Sequence, residues 1–226
     1  MMPLTAVRPK PLLDAGGKPL IAWQIEALAR AGFRDIVINT AWCGEQFEPA
    51  LGDGSRFGVK LKYSFESSAL ETVGAIVKAA PALGFGAFMP EEAHLEPSLP
   101  FLSVSGDVYT DFDYTRLLPA LAAIAHGEFD AHFVLTKNPP FHLAGDFALH
   151  QGRVAMTGEK WNYGGIACWH PKLFTGLRVE KKKLFPWADP LIDAGRVSGQ
   201  FHAGEWDNVG TPHDLANLAT RLLANV

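Results

Sequence analysis

Apolar positions along this chain recur with two periods. After Pro19, residues Ile21, Ile25, Leu28 and Ala29 share one face at helical spacing, which predicts a helix closed by Gly32. The next run, Ile36-Val37-Ile38, is apolar on both faces and β-branched, so residues 35–39 read as a buried strand. A turn-rich stretch over residues 52–58 follows, and residues 59–63 alternate as a strand with one wetter face. Further helices are predicted over 70–80, 114–125 and 212–223, and further strands over 101–105, 131–136 and 163–169. Residues 146–149 and 153–156 read as a hairpin, and 85–100, the least regular stretch, as a surface excursion. Pro3, Pro9 and Pro11 leave no strand in residues 1–13. Strands alternating with helices across short connections predict an α/β fold. The expectation is a Rossmann-like, doubly wound, mostly parallel sheet with a small β excursion, in a single domain spanning residues 1–226.

Composition narrows the chemistry. Hydrophobic residues at 48% suit a packed core, and a net charge of -4 offers no basic surplus for nucleic acid. Cys43 and Cys168 are too few and too far apart for a disulfide framework or a CxxC zinc site. The longest strongly apolar stretch, residues 117–125, is well short of the roughly 20 residues that a membrane span needs. Arg8 and Lys10 fall where a signal peptide would carry its apolar core, so the expected compartment is the cytoplasm, with no membrane partner. The histidines show no HExxH spacing, and GxSxG and GxxxxGK[ST] are both absent, which sets aside zinc protease, serine hydrolase and P-loop readings.

Four places carry candidate chemistry. Gly106-Asp107 ends a strand, where a carboxylate can hold Mg²⁺ and its phosphates or simply cap a turn. In Arg8-Pro9-Lys10-Pro11, two prolines stiffen the backbone around one lysine, which suits a phosphate ligand or a solvated lead-in. Leu70-Glu71-Thr72-Val73-Gly74 joins a helix start to a glycine that permits close approach. Trp206-Asp207-Asn208-Val209-Gly210-Thr211-Pro212 sets polar oxygens before a helix start.

In their order, these segments resemble the sugar-phosphate nucleotidyltransferases. Pro3-Leu4-Thr5, Pro9-Lys10-Pro11-Leu12, Gly17-Lys18-Pro19-Leu20 and Ile36-Val37-Ile38-Asn39 match that family's opening. Leu70-Glu71-Thr72, Gly106-Asp107 and Val209-Gly210-Thr211-Pro212 continue the match. Ala41-Trp42, the stretch 51–58 and Gly145-Asp146-Phe147 are similar to the N-acetylmuramate 1-phosphate uridylyltransferases of cell-wall sugar recycling. The mannose-1-phosphate guanylyltransferases are the alternative branch. The resemblance implies transfer of a nucleotidyl group from UTP or GTP to a sugar 1-phosphate, with Mg²⁺ as cofactor. It implies that Lys10 is catalytic through the phosphates, that Asp107 and Asn208 ligate Mg²⁺, and that Glu71, Thr72, Gly74 and Asp107 line the nucleotide. Asn162 and Gly165 would border the sugar.

The chain also departs from that pattern. The family opens with a strand and a loop of the form LAAGxGxRMxPLT, whereas the match here starts at Met1-Met2-Pro3-Leu4-Thr5, so the expected fold lacks the usual first strand. Asn208 stands where a second metal-binding carboxylate is expected, and Asp207 beside it should face elsewhere in an extended segment. Val73 and Ala75 replace glycines. An inactive member that binds a sugar nucleotide is therefore the reading from another class.

Overall fold

The computed structural model describes residues 1–84 and 99–224, so most of the expected surface excursion over 85–100 lies outside the described residues. The strands in chain order are β1 (Asp35–Thr40), β2 (Lys60–Phe65), β3 (Phe101–Val104), β4 (Val108–Thr110), β5 (Ala131–Thr136), β6 (Phe147–His150), β7 (Arg153–Ala155), β8 (Lys160–Trp169), β9 (Val197–His202) and β10 (Trp206–Asn208). The helices are α1 (Leu20–Arg30), α2 (Phe47–Leu51), α3 (Glu71–Ala79), α4 (Leu118–Ala125), α5 (Asp189–Asp193) and α6 (Pro212–Ala224). They fall into two compact units, each discontinuous in sequence. The first comprises Met1–Ala69, Ser105–Thr115 and Gly204–Val226, the second Leu70–Val104 and Arg116–Ala203.

In the first unit, α1 begins after Pro19 and ends as its sequence demands. Gly32, at φ 94°, donates to Ala29 O, and the Phe33 amide donates to Leu28 O at 3.0 Å, so a glycine in the left-handed region closes the last turn. The buried face of α1, with Ile21, Ile25 and Ala29, packs on Ile38 of β1, Leu61 of β2 and Leu12. β1 and β2 pair in parallel from Asp35↔Lys60 to Thr40↔Phe65. The lead-in forms two 3-10 turns, Leu4–Ala6 and Lys10–Leu12, and no strand, as its prolines predict. Leu12 is fully buried and anchors the second turn; burying such a side chain contributes about 1.5–3 kcal/mol. On α6, Leu215, Leu218 and Leu222 recur at helical spacing and pack with Leu13, Ala15 and Leu20.

The second unit is built on a six-stranded sheet in the order β3-β8-β5-β9-β7-β6, with β6 also pairing to β8. β5 and β9 run parallel, whereas β8 is antiparallel to β3, β5 and β6. The expected hairpin is β6–β7, and the expected strand at Tyr163 starts earlier, at Lys160. β8 carries Gly164-Gly165 where the β5 register slips between Phe133↔Ala167 and Leu135↔Tyr163. Gly165, at φ 72°, supplies the backbone that this bulge requires. Phe133 sits at the middle of the core, with the rings of Tyr163 at 5.2 Å, Trp169 at 5.3 Å and Phe147 at 6.0 Å. The helix expected from Tyr114 begins as a 3-10 turn and becomes α-helical at Leu118, with Pro119 in its first turn.

Candidate functional site

Three residues singled out in the sequence converge in the first unit. The Lys10 ammonium donates to Asp107 Oδ2 at 2.8 Å and to Asn208 Oδ1 at 3.2 Å. Each is delivered by a separate local device. Lys10 lies in a 3-10 turn between two prolines, closed by Leu12 N to Pro9 O at 2.9 Å and Leu13 N to Lys10 O at 3.1 Å. Asp107 occupies the turn between β3 and β4, and Gln24 of α1 fixes the next residue by donating to Val108 O at 2.7 Å. The hydroxyl of Tyr114 in turn bonds the Gln24 side chain, and burial pushes that hydroxyl's pKa up. Asn208 ends β10, which runs antiparallel to β4 with Asn208 opposite Val108.

Two further arrangements set the charge here. Asp207 points away from Asn208, as strand alternation predicts, and pairs with Arg221 of α6. That hydrogen bond raises the Arg221 pKa further. Beyond Gly210, Thr211 and Asp214 form a reciprocal capping box: the Asp214 amide donates to Thr211 Oγ1 at 3.1 Å, and Asp214 Oδ2 accepts from the Thr211 amide at 2.8 Å. The Thr211 hydrogen bond holds the Asp214 carboxyl below its ordinary value. The helix start expected at Thr211-Pro212 is thus present and pins the chain just after Asn208.

The Asp107 side chain is 40% exposed and that of Lys10 21%, so a ligand can reach both. Asp107, Lys10 and Asn208 together carry no net charge. Among the described residues no three His, Cys, Asp or Glu side chains surround a common point. One carboxylate and one amide oxygen fit a hard divalent cation that brings phosphate and water oxygens with it, not one caged by protein alone.

The other expected residues lie in the second unit. Glu71 and Thr72 open α3 and are exposed, and Gly74 is buried in its first turn. Glu71 has φ 61°, unusual for a residue with a side chain. Asn162 is buried on β8 and donates to Thr136 Oγ1 at 3.0 Å and to Tyr163 O at 3.1 Å. Gly165 follows at the bulge. Sequence reasoning missed Arg221 as the partner of Asp207, because 14 residues separate them. It also missed Lys182, which bonds the start of α3 through its backbone N–H and C=O and so leaves no side-chain signature.

Residues 1–142 match the Nucleotidyl transferase family. A relative, the N-acetylmuramate alpha-1-phosphate uridylyltransferase of Neisseria meningitidis serogroup B, is 41% identical over 217 residues, covering 93% of this chain and 88% of its own. The chain belongs to the nucleotidyl transferase family. The transferase class expected from the sequence therefore holds, as does a place in sugar-nucleotide biosynthesis, and members of this family commonly use a divalent metal. The mannose-1-phosphate guanyltransferase of Gibberella zeae is 34% identical over 228 residues; the chain spans 58% of that relative's length.

Solved structures bear out the α/β fold class, while the six-stranded sheet is mixed and not mostly parallel as expected: among the described residues β5–β9 is its one parallel pairing. A Bacillus anthracis protein assigned as a glucose-1-phosphate thymidylyltransferase superposes with TM-score 0.79 at 18% identity, covering 99% of this chain and 90% of its own. HddC from Yersinia pseudotuberculosis complexed with GMP-PN gives 0.73 at 17%, covering 95% and 90%. The α/β nucleotidyltransferase fold of this family member is thus shared across distant sequences. Among its described residues, no helix is long and apolar enough to cross a membrane.

Proposed function

We propose that residues 1–226 act as one nucleotidyltransferase domain that joins a nucleoside triphosphate to a sugar 1-phosphate. A phosphate oxygen of the sugar 1-phosphate attacks the α-phosphorus, the bond to the bridging α–β oxygen breaks, and pyrophosphate leaves with a nucleotide sugar as product. UTP and N-acetylmuramate 1-phosphate are the preferred pair, on the strength of the 41% identical relative. The product would be the UDP-sugar of a cell-wall recycling route, in the cytoplasm. GTP and mannose 1-phosphate are the alternative pair.

The observation that supports this reading is the meeting of Lys10, Asp107 and Asn208 at one point. Lys10 would leave Asp107 to donate to phosphate oxygens, stabilising charge that grows as pyrophosphate departs. Asp107 and Asn208 would hold Mg²⁺, which when bound neutralises phosphate charge. Glu71, Thr72 and Gly74 would lie beside the nucleotide, and Asn162 and Gly165 beside the sugar. The positions of these groups, set by turns and strands before substrate arrives, would supply orientation.

One feature favours a second reading, a sugar-nucleotide binder without turnover. Asn208 contributes a neutral oxygen, and Lys10 already neutralises the lone carboxylate of the cluster. A pyrophosphate-release screen of four nucleoside triphosphates against N-acetylmuramate, mannose and glucose 1-phosphates, with Mg²⁺, separates the two. Turnover with any pair disposes of the binder. No turnover, with calorimetric binding of a UDP-sugar, disposes of the transferase activity.

A further inference from the structure

Gly74 stands where only a hydrogen fits. A Cβ at that position would lie 2.1 Å from the carbonyl oxygen of Glu180, more than one hundred residues later in the chain. The segment that crowds it is bonded to the start of α3 in both directions. Lys182 N donates to Leu70 O at 2.9 Å, and Lys182 O accepts from Val73 N at 3.1 Å and from Gly74 N at 3.4 Å. Between these bonds sits Glu71, held at φ 61°. A residue with a Cβ keeps that conformation only where its surroundings enforce it. Lys181 Nζ lies 3.9 Å from Glu71 Oε1, an exposed pair that adds little by itself.

The bonding has a chemical consequence. A helix start offers unpaired amides that suit an anion. Here Val73 and Gly74 spend theirs on the Lys182 carbonyl. The start of α3 therefore offers the Glu71 carboxylate, which accepts from the N–H and O–H donors of a base or ribose and repels phosphate, with the Thr72 hydroxyl beside it.

We propose that residues 180–182 form a positioning clasp, which fixes the backbone of 70–74 and so presents Glu71 and Thr72 to the base-and-ribose end of the nucleotide. This rests on the nucleotidyl-transfer reading above. Lys182 acts here through its backbone, and Gly74 is the residue that lets the clasp close.

Gly74→Ala in the full chain tests it, because the two alternatives predict opposite results. Alanine is the better helix former, so a glycine without a clasp gains from the change. With the clasp, the added methyl must displace Glu180. The expected result is exchange of the amides at 73 and 74 accelerated at least about tenfold relative to the amides of Val77 and Lys78. UTP affinity, read by calorimetry, should fall about fivefold or more. Lys182→Pro, which removes the donor to Leu70 O together with the Lys182–Glu180 ion pair, should weaken UTP binding in the same direction and covers the case in which Gly74→Ala does not fold.

Unprotected amides at 73 and 74 in the unmutated chain would overturn the clasp. Faster exchange with unchanged UTP affinity in both variants would overturn its positioning role. An unmutated chain that binds neither UTP nor GTP overturns the nucleotide reading itself and this role with it, a failure seen before any mutation is made and so distinct from failure of the clasp.

Discussion

Asp207 and Asn208 are neighbours in β10 yet serve different partners: Asp207 pairs with Arg221, and Asn208 accepts from Lys10 at 3.2 Å. The acidic residue of the two is thus committed elsewhere, and the cluster around Lys10 keeps a single carboxylate. Asn208→Asp changes the net charge of Lys10, Asp107 and residue 208 from zero to minus one. A charge within about 4 Å of a cation near a protein surface contributes on the order of 1–4 kcal/mol. Mg²⁺ affinity in the presence of UTP should therefore tighten about tenfold or more, read by calorimetric titration. An unchanged affinity would show that Asn208 does not face the ion.

Lys10→Ala removes the cation while leaving the turn backbone in place. Pyrophosphate release should fall at least about a hundredfold, the scale of losing one charge-stabilising donor. Stability should change by less than about 1 kcal/mol, because the Lys10–Asp107 pair is partly open to water. A large drop in denaturation midpoint with normal turnover would invert this assignment.

Acid should unfold the second unit through His132. The residue is 5% exposed, Nδ1 bonds Ser198 Oγ at 2.9 Å, and burial lowers its pKa from 6.5 to about 4. The unfolded chain takes up the proton first, so stability is complete above the ordinary histidine range and declines as pH falls from 6.5 toward 4. The loss should reach about 2–3 kcal/mol. Asp130 works in a lower window. Hydrogen bonds from Arg196 hold it at about 2, so its contribution persists to about pH 4 and is lost below. Denaturant curves from pH 7 to 4.5 should slope accordingly, and His132→Gln should flatten them. An equal slope in the variant would assign the effect to another group.

The two thiols should differ in reactivity. Cys168 is fully buried, and burial pushes its thiol up to about 12, whereas Cys43 is half-buried. A thiol reagent at mild alkaline pH should label one cysteine in the folded chain and two in denaturant. Fast labelling of both in native conditions would mean that the β8 region opens readily.

Phe133 touches the rings of Phe147, Tyr163, Trp169 and Phe185. Phe133→Ala should cost about 3–5 kcal/mol, seen as a lowered denaturation midpoint. A cost near zero would show that the aromatic core closes over the gap.

The sequence made some of this legible and hid the rest for physical reasons. α1 was readable because Ile21, Ile25, Leu28 and Ala29 keep one period and Gly32 closes it. β9 was not, since Ser198, Gly199 and Gln200 interrupt the apolar positions of Val197 and Phe201, and the strand is defined by its pairing with β5. β4 and β10 have three residues each, too short for any period to show. The segments of Lys10, Asp107 and Asn208 were legible as candidate chemistry and their roles came through resemblance, but their meeting depends on a turn, a strand end and a capping box far apart in the chain. The bonds from Lys182 to the start of α3 run through the backbone, which carries no residue-type signal.

The division of the first unit has a consequence in time. Lys10 and Asn208 are 198 residues apart, and the leucines of α6 that cover Leu13 and Leu20 lie later still. A ribosome adding roughly 5–20 residues per second takes on the order of ten to forty seconds to supply them. For that interval the nascent chain carries an uncovered apolar surface and only part of the cluster around Lys10. The first unit cannot close, and its candidate site cannot form, until synthesis has passed through the second.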